Sequence, residues 1–273
     1  MRLAVPAKTF LLGEYAALSA APALLLASEP SFVVERTKEP DLIGIHPDSP
    51  AGKFWRDHSD RRYGLQFFDP YGGIGGLGAS SAQFLGAYQL VFGKDDIAIE
   101  HLLSQYYHYA WNGIGARPSG YDILAQMHQG LVFVDRQQER ISTMTWPFDN
   151  LAVYLIHTGK KLATHTYLQD TRACPDYSSL GRLAAHAFDA VRTSSRSDFL
   201  QAVRAAGECL DTNNLVALHS KALIAKLYKQ NWVQAVKGCG AMGADILSVY
   251  IAPEYASALR DFCILQGLHI VSQ

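Results

Sequence analysis

Two rhythms of apolar residues run along this chain. The first forty positions hold two short apolar runs, RLAVPAKTFLL and APALLLAS, and a β-branched and aromatic run, SFVVER, separated by turn residues. These predict strands of an N-terminal sheet. From Glu39 to Gly64 the sequence turns polar and rich in Pro, Gly and Asp, which predicts a surface excursion with at most a short helix over 51–58, able to cover a ligand. Between Ser80 and Phe92 the apolar positions Phe84, Leu85, Tyr88 and Val91 repeat at helical spacing, with Ser at the start as a cap. DDIAIEHLLSQYYHYAW predicts a second helix capped by Asp95 or Asp96, and SGYDILAQMHQG a third that ends at Gly130. GLVFVDR then returns as a strand.

A second half begins near Asn150, giving expected domains of 1–149 and 150–273. It opens on the strand LAVYLIHTG and continues through helices over 177–193, 198–214 and 215–230. The strand ILSVYIA, the helical PEYASALRDFCILQG and the terminal LHIVSQ complete an α+β pattern of split βαβ-like order. No internal repeat or low-complexity segment interrupts it.

Composition narrows the function classes. With 273 residues, 49% hydrophobic and 18% charged, the chain can bury a large core. Twenty-four basic and 25 acidic residues give a formal charge of -1, which argues against nucleic acid as the main partner. The four cysteines form no CxxC pair and read as ordinary thiols of a reducing compartment. AALSAAPALLLASEP imitates the apolar part of a secretory signal, but Pro22 interrupts it and Glu14 precedes it. No apolar run approaches the ~20 residues that span a bilayer. The expectation is a cytoplasmic protein, away from membranes, as a monomer or homodimer.

Three stretches carry candidate chemistry. In PYGGIGGLGASSAQF, five glycines fall between Gly72 and Gly78. The lettering matches GxGxxG, yet a dinucleotide fingerprint needs a compact βαβ unit, and YGLQFFDPYG makes a poor central strand. A Walker A loop is also excluded, because no Lys-Ser/Thr pair follows Gly78. What remains is a phosphate cradle: glycines admit close backbone approach, a helix start offers free amides, and Ser80 and Ser81 add hydroxyls. The second stretch is PAKTFLLGEY, with Lys8 inside an apolar strand; a lone lysine is ordinarily solvated. The third is ARPSGYDILAQMHQG, with Asp122 in the first turn of a helix, where the dipole alone favours an acid.

In this order the stretches resemble the motifs of the GHMP kinases, the family of galactokinase, homoserine kinase, mevalonate kinase and phosphomevalonate kinase. PAKTFLLGEYAALSAAPALLLA resembles the first motif. GGIGGLGASSAQF resembles the second, G-x-G-L-G-S-S-A, and VKGCGAMGADILSVYI the third, a K-x-x-G-A-G-G-G-D loop. PSGYDILAQMHQG and Asp245 are similar to the phosphomevalonate kinase branch, with mevalonate kinases next. HTGKKLATHTYLQ resembles the segment that opens the second domain of these kinases.

The resemblance implies an N-terminal domain like ribosomal protein S5 domain 2 and a ferredoxin-like C-terminal domain, with the site between them. It implies ATP and Mg2+ as cofactors, with Asp122 as base for the acceptor hydroxyl and Lys8 steadying the transferring phosphoryl group. Gly75, Gly76, Leu77, Gly78, Ala79, Ser80 and Ser81 would hold the nucleotide, and Ser80 also the metal. Glu14, Lys160, Thr164, Gly240 and Ala241 would face the acceptor, with Lys161, Arg117 and His46 as further candidates for an anionic tail. The chain departs from the pattern at Ala79, where the motif has Ser, and at Met242 and Ala244, where it has Gly. Trp111 and Asn112 occupy the region in which mevalonate kinases carry an acidic metal ligand. The function implied is an ATP-dependent small-molecule kinase of the mevalonate type. Two alternatives are a decarboxylase acting on mevalonate diphosphate and a nucleotide-binding protein of this fold with impaired catalysis.

Overall fold

A computed structural model describes residues 1–60, 62–160 and 177–272. The chain builds two mostly antiparallel sheets. In the first, the long strand β2 (Ala23–Thr37) is the spine. It pairs with β1 (Arg2–Leu12) along its whole length. Its first half also pairs with β5 (Gly130–Asp135), which carries β6 (Arg140–Met144) at its edge. Its second half pairs with β4 (Gly64–Phe68), beside the two-residue β3 (Leu42–Ile43). The APALLLAS and SFVVER runs are therefore one strand that continues through Pro30, not two.

Helix α1 (Pro50–His58) lies within the polar excursion, its Ser49 cap accepting from the Gly52 N–H. The Phe54 ring packs tilted against Phe84 of α2 (Ala79–Phe92), ring centroids 5.1 Å apart. Helices α3 (Ile99–Ala110) and α4 (Tyr121–Gln126) follow. Three sequence expectations fail here. Ala98 rather than Asp95 or Asp96 precedes α3. Helix α4 stops at Gln126, and Gly130 opens β5 because its backbone is drawn into pairing with β2. The segment before the glycine loop does form a strand, β4, because β2 supplies it with a full ladder.

The second sheet has the order β10-β7-β9-β8, from β7 (Ala152–His157), β8 (Val233–Cys239), β9 (Ile246–Ile251) and β10 (His269–Ser272). Helices α5 (Ser178–Arg192), α6 (Arg196–Thr212), α7 (Leu218–Tyr228) and α8 (Ala256–Gln266) complete it. The sheets share a core: Phe133 of β5 stacks on Phe188 of α5 at 4.0 Å between centroids, and one hydrophobic cluster runs from Val5 to Tyr250. Burying such apolar area is the main force that holds the two halves together. Among the described residues no helix is long and apolar enough to cross a membrane.

Candidate active site

A cavity of about 1190 Å3 opens between the two sheets, lined by Lys8, Glu14, the glycine loop, Asp122 and Asp245. Its glycine wall is built by local bonds. Asp69 turns the chain after β4 by accepting from the N–H groups of Tyr71 and Gly73, both at 2.8 Å. The Tyr71 hydroxyl donates to the Pro30 carbonyl at 2.6 Å, tying the loop to β2. The Leu77 side chain enters the core, and its carbonyl accepts from the Lys8 N–H at 2.9 Å. Leu77 thus anchors the loop instead of lining the cavity.

Gly78, at φ 87°, caps α2 in the left-handed conformation, and no side chain caps the helix. The first-turn amides are left for a ligand, at the positive end of the helix dipole. The expected serine cap is thereby corrected, and the two serines separate. Ser81 is buried and donates to the Gly78 carbonyl at 3.0 Å, so its hydroxyl is structural. Ser80 is exposed on the cavity wall.

Lys8 lies in the middle of β1, buried, with its Nζ 3.0 Å from Asp122 Oδ2. The α4 helix carries Asp122 toward β1. Four residues on, and so on the same face, Gln126 donates to the carbonyls of Pro6 (2.8 Å) and Gly78 (3.1 Å). This amide locks β1, α4 and the glycine loop together, a role its i+4 spacing from Asp122 made findable. Tyr106 closes the wall beside Asp122. Burial first, and then the Asp122 charge, pushes its hydroxyl pKa far up, so it stays neutral.

The third motif bends from β8 into a short 3-10 turn, Ala241–Gly243. Met242 sits at φ 57°, ψ 11°, the conformation for which the motif has glycine. Ala244, at φ -82°, needs no glycine. Its carbonyl accepts from Thr158 Oγ1 and lies 3.0 Å from His219 Nε2. Gly240, Ala241 and Asp245 line the cavity, and a side chain at Gly76 would meet the Asp245 Cβ at 3.0 Å. The loop and the third motif are therefore in contact. Glu14 forms a buried ion pair with Lys237 Nζ at 2.5 Å.

Other candidates fall elsewhere. Lys160 is exposed and off the cavity wall. Arg117 lies over the Tyr107 ring at 4.4 Å, and His46 accepts from the Asp48 N–H within its own turn. Thr164 and Lys161 lie outside the described residues. Lys53 and Arg56 of α1, which no motif flagged, line the cavity. Trp111 and Asn112 also line it, and among the described residues no cluster of three His, Cys, Asp or Glu could hold a metal.

No family model matches the chain, and no curated protein matches it by sequence. Solved structures do. Mevalonate kinase of Methanococcus jannaschii is similar at a TM-score of 0.75 and 14% identity, over 99% of this chain and 96% of that one. Streptococcus pneumoniae phosphomevalonate kinase, in complex with phosphomevalonate and AMPPNP, is similar at 0.77 and 15%, over 99% and 98%. Galactokinase of Lactococcus lactis, complexed with galactose, is similar at 0.78 and 11%, over 99% and 92%. These likenesses establish a fold. The chain has the two-sheet α+β fold of the GHMP kinases.

Proposed function

We propose that the protein is an ATP-dependent phosphotransferase that moves the γ-phosphoryl group to a hydroxyl or phosphate of a mevalonate-like acceptor, mevalonate or phosphomevalonate. In this reading residues 1–149 form the ATP-binding domain and 150–273 the second domain. The observation that carries it is the Lys8–Asp122 pair at 3.0 Å, facing a glycine loop and an uncapped helix start in one cavity. The cavity exceeds the ~300–1,000 Å3 of ordinary ligand pockets, room for a nucleotide and an acceptor side by side.

Where the acceptor is a hydroxyl, Asp122 takes its proton, and with either acceptor Lys8 orients that carboxylate and offsets the charge on the transferring group. Positioning and charge neutralisation supply most of the catalysis in phosphoryl transfer. The amides of Gly75 to Ser81 hold phosphate oxygens, while Gly240 and Ala241 bound the acceptor side. Ser80 fits a magnesium ion carried on the phosphates, because its hydroxyl is exposed at the first turn while phosphate and water complete the shell. When bound, that ion neutralises phosphate charge.

The test is ADP release with mevalonate, phosphomevalonate, homoserine and galactose. Asp122→Asn is expected to retain ATP binding and lose about 100- to 10,000-fold in kcat. Full turnover in that variant removes Asp122 from the mechanism, and no ADP release by the wild type with any acceptor overturns the reading.

A further inference from the structure

Pro50, Lys53, Arg56 and Asp57 recur at spacings of three and four along α1, so they share one face, and all of them line the cavity. The other face fixes the roll of the helix. Phe54 packs on Phe84, and Trp55 Nε1 donates to the Tyr63 carbonyl at 3.2 Å. Gly52 presses on the turn before the helix, where an added Cβ would stand 2.4 Å from the His46 carbonyl oxygen and 2.7 Å from that of Pro47. Helix α1 therefore cannot turn its two cations away from the cavity. Where Phe54 meets Phe84, the residues just before them, Lys53 on α1 and Gln83 on α2, both line the cavity, with Ser80 one turn below Gln83. The cations thus flank the helix start whose first-turn amides no side chain caps.

The charges of the cavity give this placement a consequence. Among the described residues, three lysine or arginine side chains and six carboxylates line it. Such a wall repels a polyanion unless cations meet it where it lies. Lys8 is already held to Asp122. Lys53, half-buried, has no hydrogen-bond or ion-pair partner for its ammonium among the described residues. Arg56 has only its neighbour Asp57, at 3.9 Å, with both side chains more than half exposed. The nearby acids are used elsewhere: Asp57 accepts from the Tyr109 hydroxyl at 3.0 Å, and Asp69 from the Tyr71 and Gly73 amides.

We propose that Lys53 and Arg56 form a phosphate clamp: they hold the phosphate chain of the nucleotide from α1, while the amides of the glycine loop and of α2 hold it from the loop side. This rests on the kinase reading and deepens it by giving its phosphate site a second half made of side chains. Lys53 supplies a point charge, and the planar guanidinium of Arg56 bonds two phosphate oxygens at once.

The experiment measures binding of ATP and of inorganic tripolyphosphate to wild type, Lys53→Gln, Arg56→Gln and the double variant by calorimetry, with magnesium and with EDTA, at about 50 and about 500 mM salt. Each single variant should weaken both ligands about 10-fold, the lower end for a charged hydrogen bond because both side chains keep contact with water, and the double variant up to about 100-fold. The losses should persist in EDTA, because the clamp is made of side chains, and Tm should stay within ~2 °C of wild type. Between low and high salt, wild type should lose more affinity than the double variant, since screening acts on charges that the variant lacks. Variants that bind tripolyphosphate like wild type overturn the proposal: unchanged ATP affinity then makes the pair a solvated surface, and a loss for ATP alone puts it at the base. Losses seen only with magnesium also overturn it. If wild type binds ATP yet releases no ADP with any acceptor, the kinase reading falls and the clamp stands. If it binds neither ATP nor tripolyphosphate, both fall.

Discussion

Replacing Gly78 by alanine tests how the glycine loop meets the Lys8–Asp122 pair. Gly78 holds φ 87°, where a side chain costs about 1–2 kcal/mol. The added Cβ would also stand 2.9 Å from Lys8 Cγ, 3.0 Å from Lys8 Cε and 3.0 Å from Gln126 Nε2. Neither neighbour can retreat. The Lys8 side chain is 10% exposed and held to Asp122, and the Gln126 amide is bonded on two sides. Loss of one of those bonds adds about 1–2 kcal/mol, for a total of about 2–4 kcal/mol. At ~2–4 °C per kcal/mol for a chain of this size, Tm should fall by about 4–16 °C. Because a 1 Å misplacement at a reacting centre can cost ~100-fold, kcat should fall by about that factor. Gly73→Ala is the control, since Gly73 has φ 85° with nothing within 4 Å of its added Cβ. It should lose only ~1–2 kcal/mol of backbone strain and keep its turnover. Scanning fluorimetry and ADP release on both variants decide the matter: if Gly78→Ala is as mild as Gly73→Ala in both, the crowding argument is wrong.

Other consequences are separable in the same assays. Ser80→Ala should raise KM for Mg-ATP with Tm unchanged, whereas Ser81→Ala, which loses a bond to the Gly78 carbonyl, should lower stability by ~1 kcal/mol. A Ser81 variant that impairs only nucleotide binding would reverse that assignment. At Met242, held at φ 57°, a β-branched residue is a steric outlier, so Met242→Val should lower Tm by several degrees while Met242→Gly holds it within ~2 °C; equal melts for the two would refute the strain. Stability should also fall at both ends of the pH scale. Burial depresses the pKa of His128 and His157, with Asp245 partly offsetting it for His157, so their contribution, complete above pH ~6.5, is lost as pH falls below it. Burial raises Cys263 to about 11 and Tyr71 and Tyr121 to about 12. Their contributions, complete below the unfolded values of ~8.5 and ~10, are lost as pH rises through the folded ones. Melting curves from pH 5 to 11 that stay flat would contradict both limbs.

Some of this protein is local and was legible in its residues. The strand runs of β1, β5 and β9 and the helices α1, α2, α5 and α6 follow from apolar spacing, because a period of 2 or 3.6 is set by backbone geometry alone. Lys8, the glycine loop and Asp122 were likewise marked by their own neighbours. Their meeting was not, since Lys8 and Asp122 are joined only by the packing of α4 on β1. The same limit explains the two serines: adjacent in sequence and alike in chemistry, they are sorted by the point at which α2 begins, which Gly78 and the Lys8–Leu77 bond decide. Strand β8 was not predicted, and the end of α4 was misread, because sheet pairing outweighs local preference there. The Glu14–Lys237 pair lay wholly beyond local reading, for it exists only where the two sheets close on each other and exclude water.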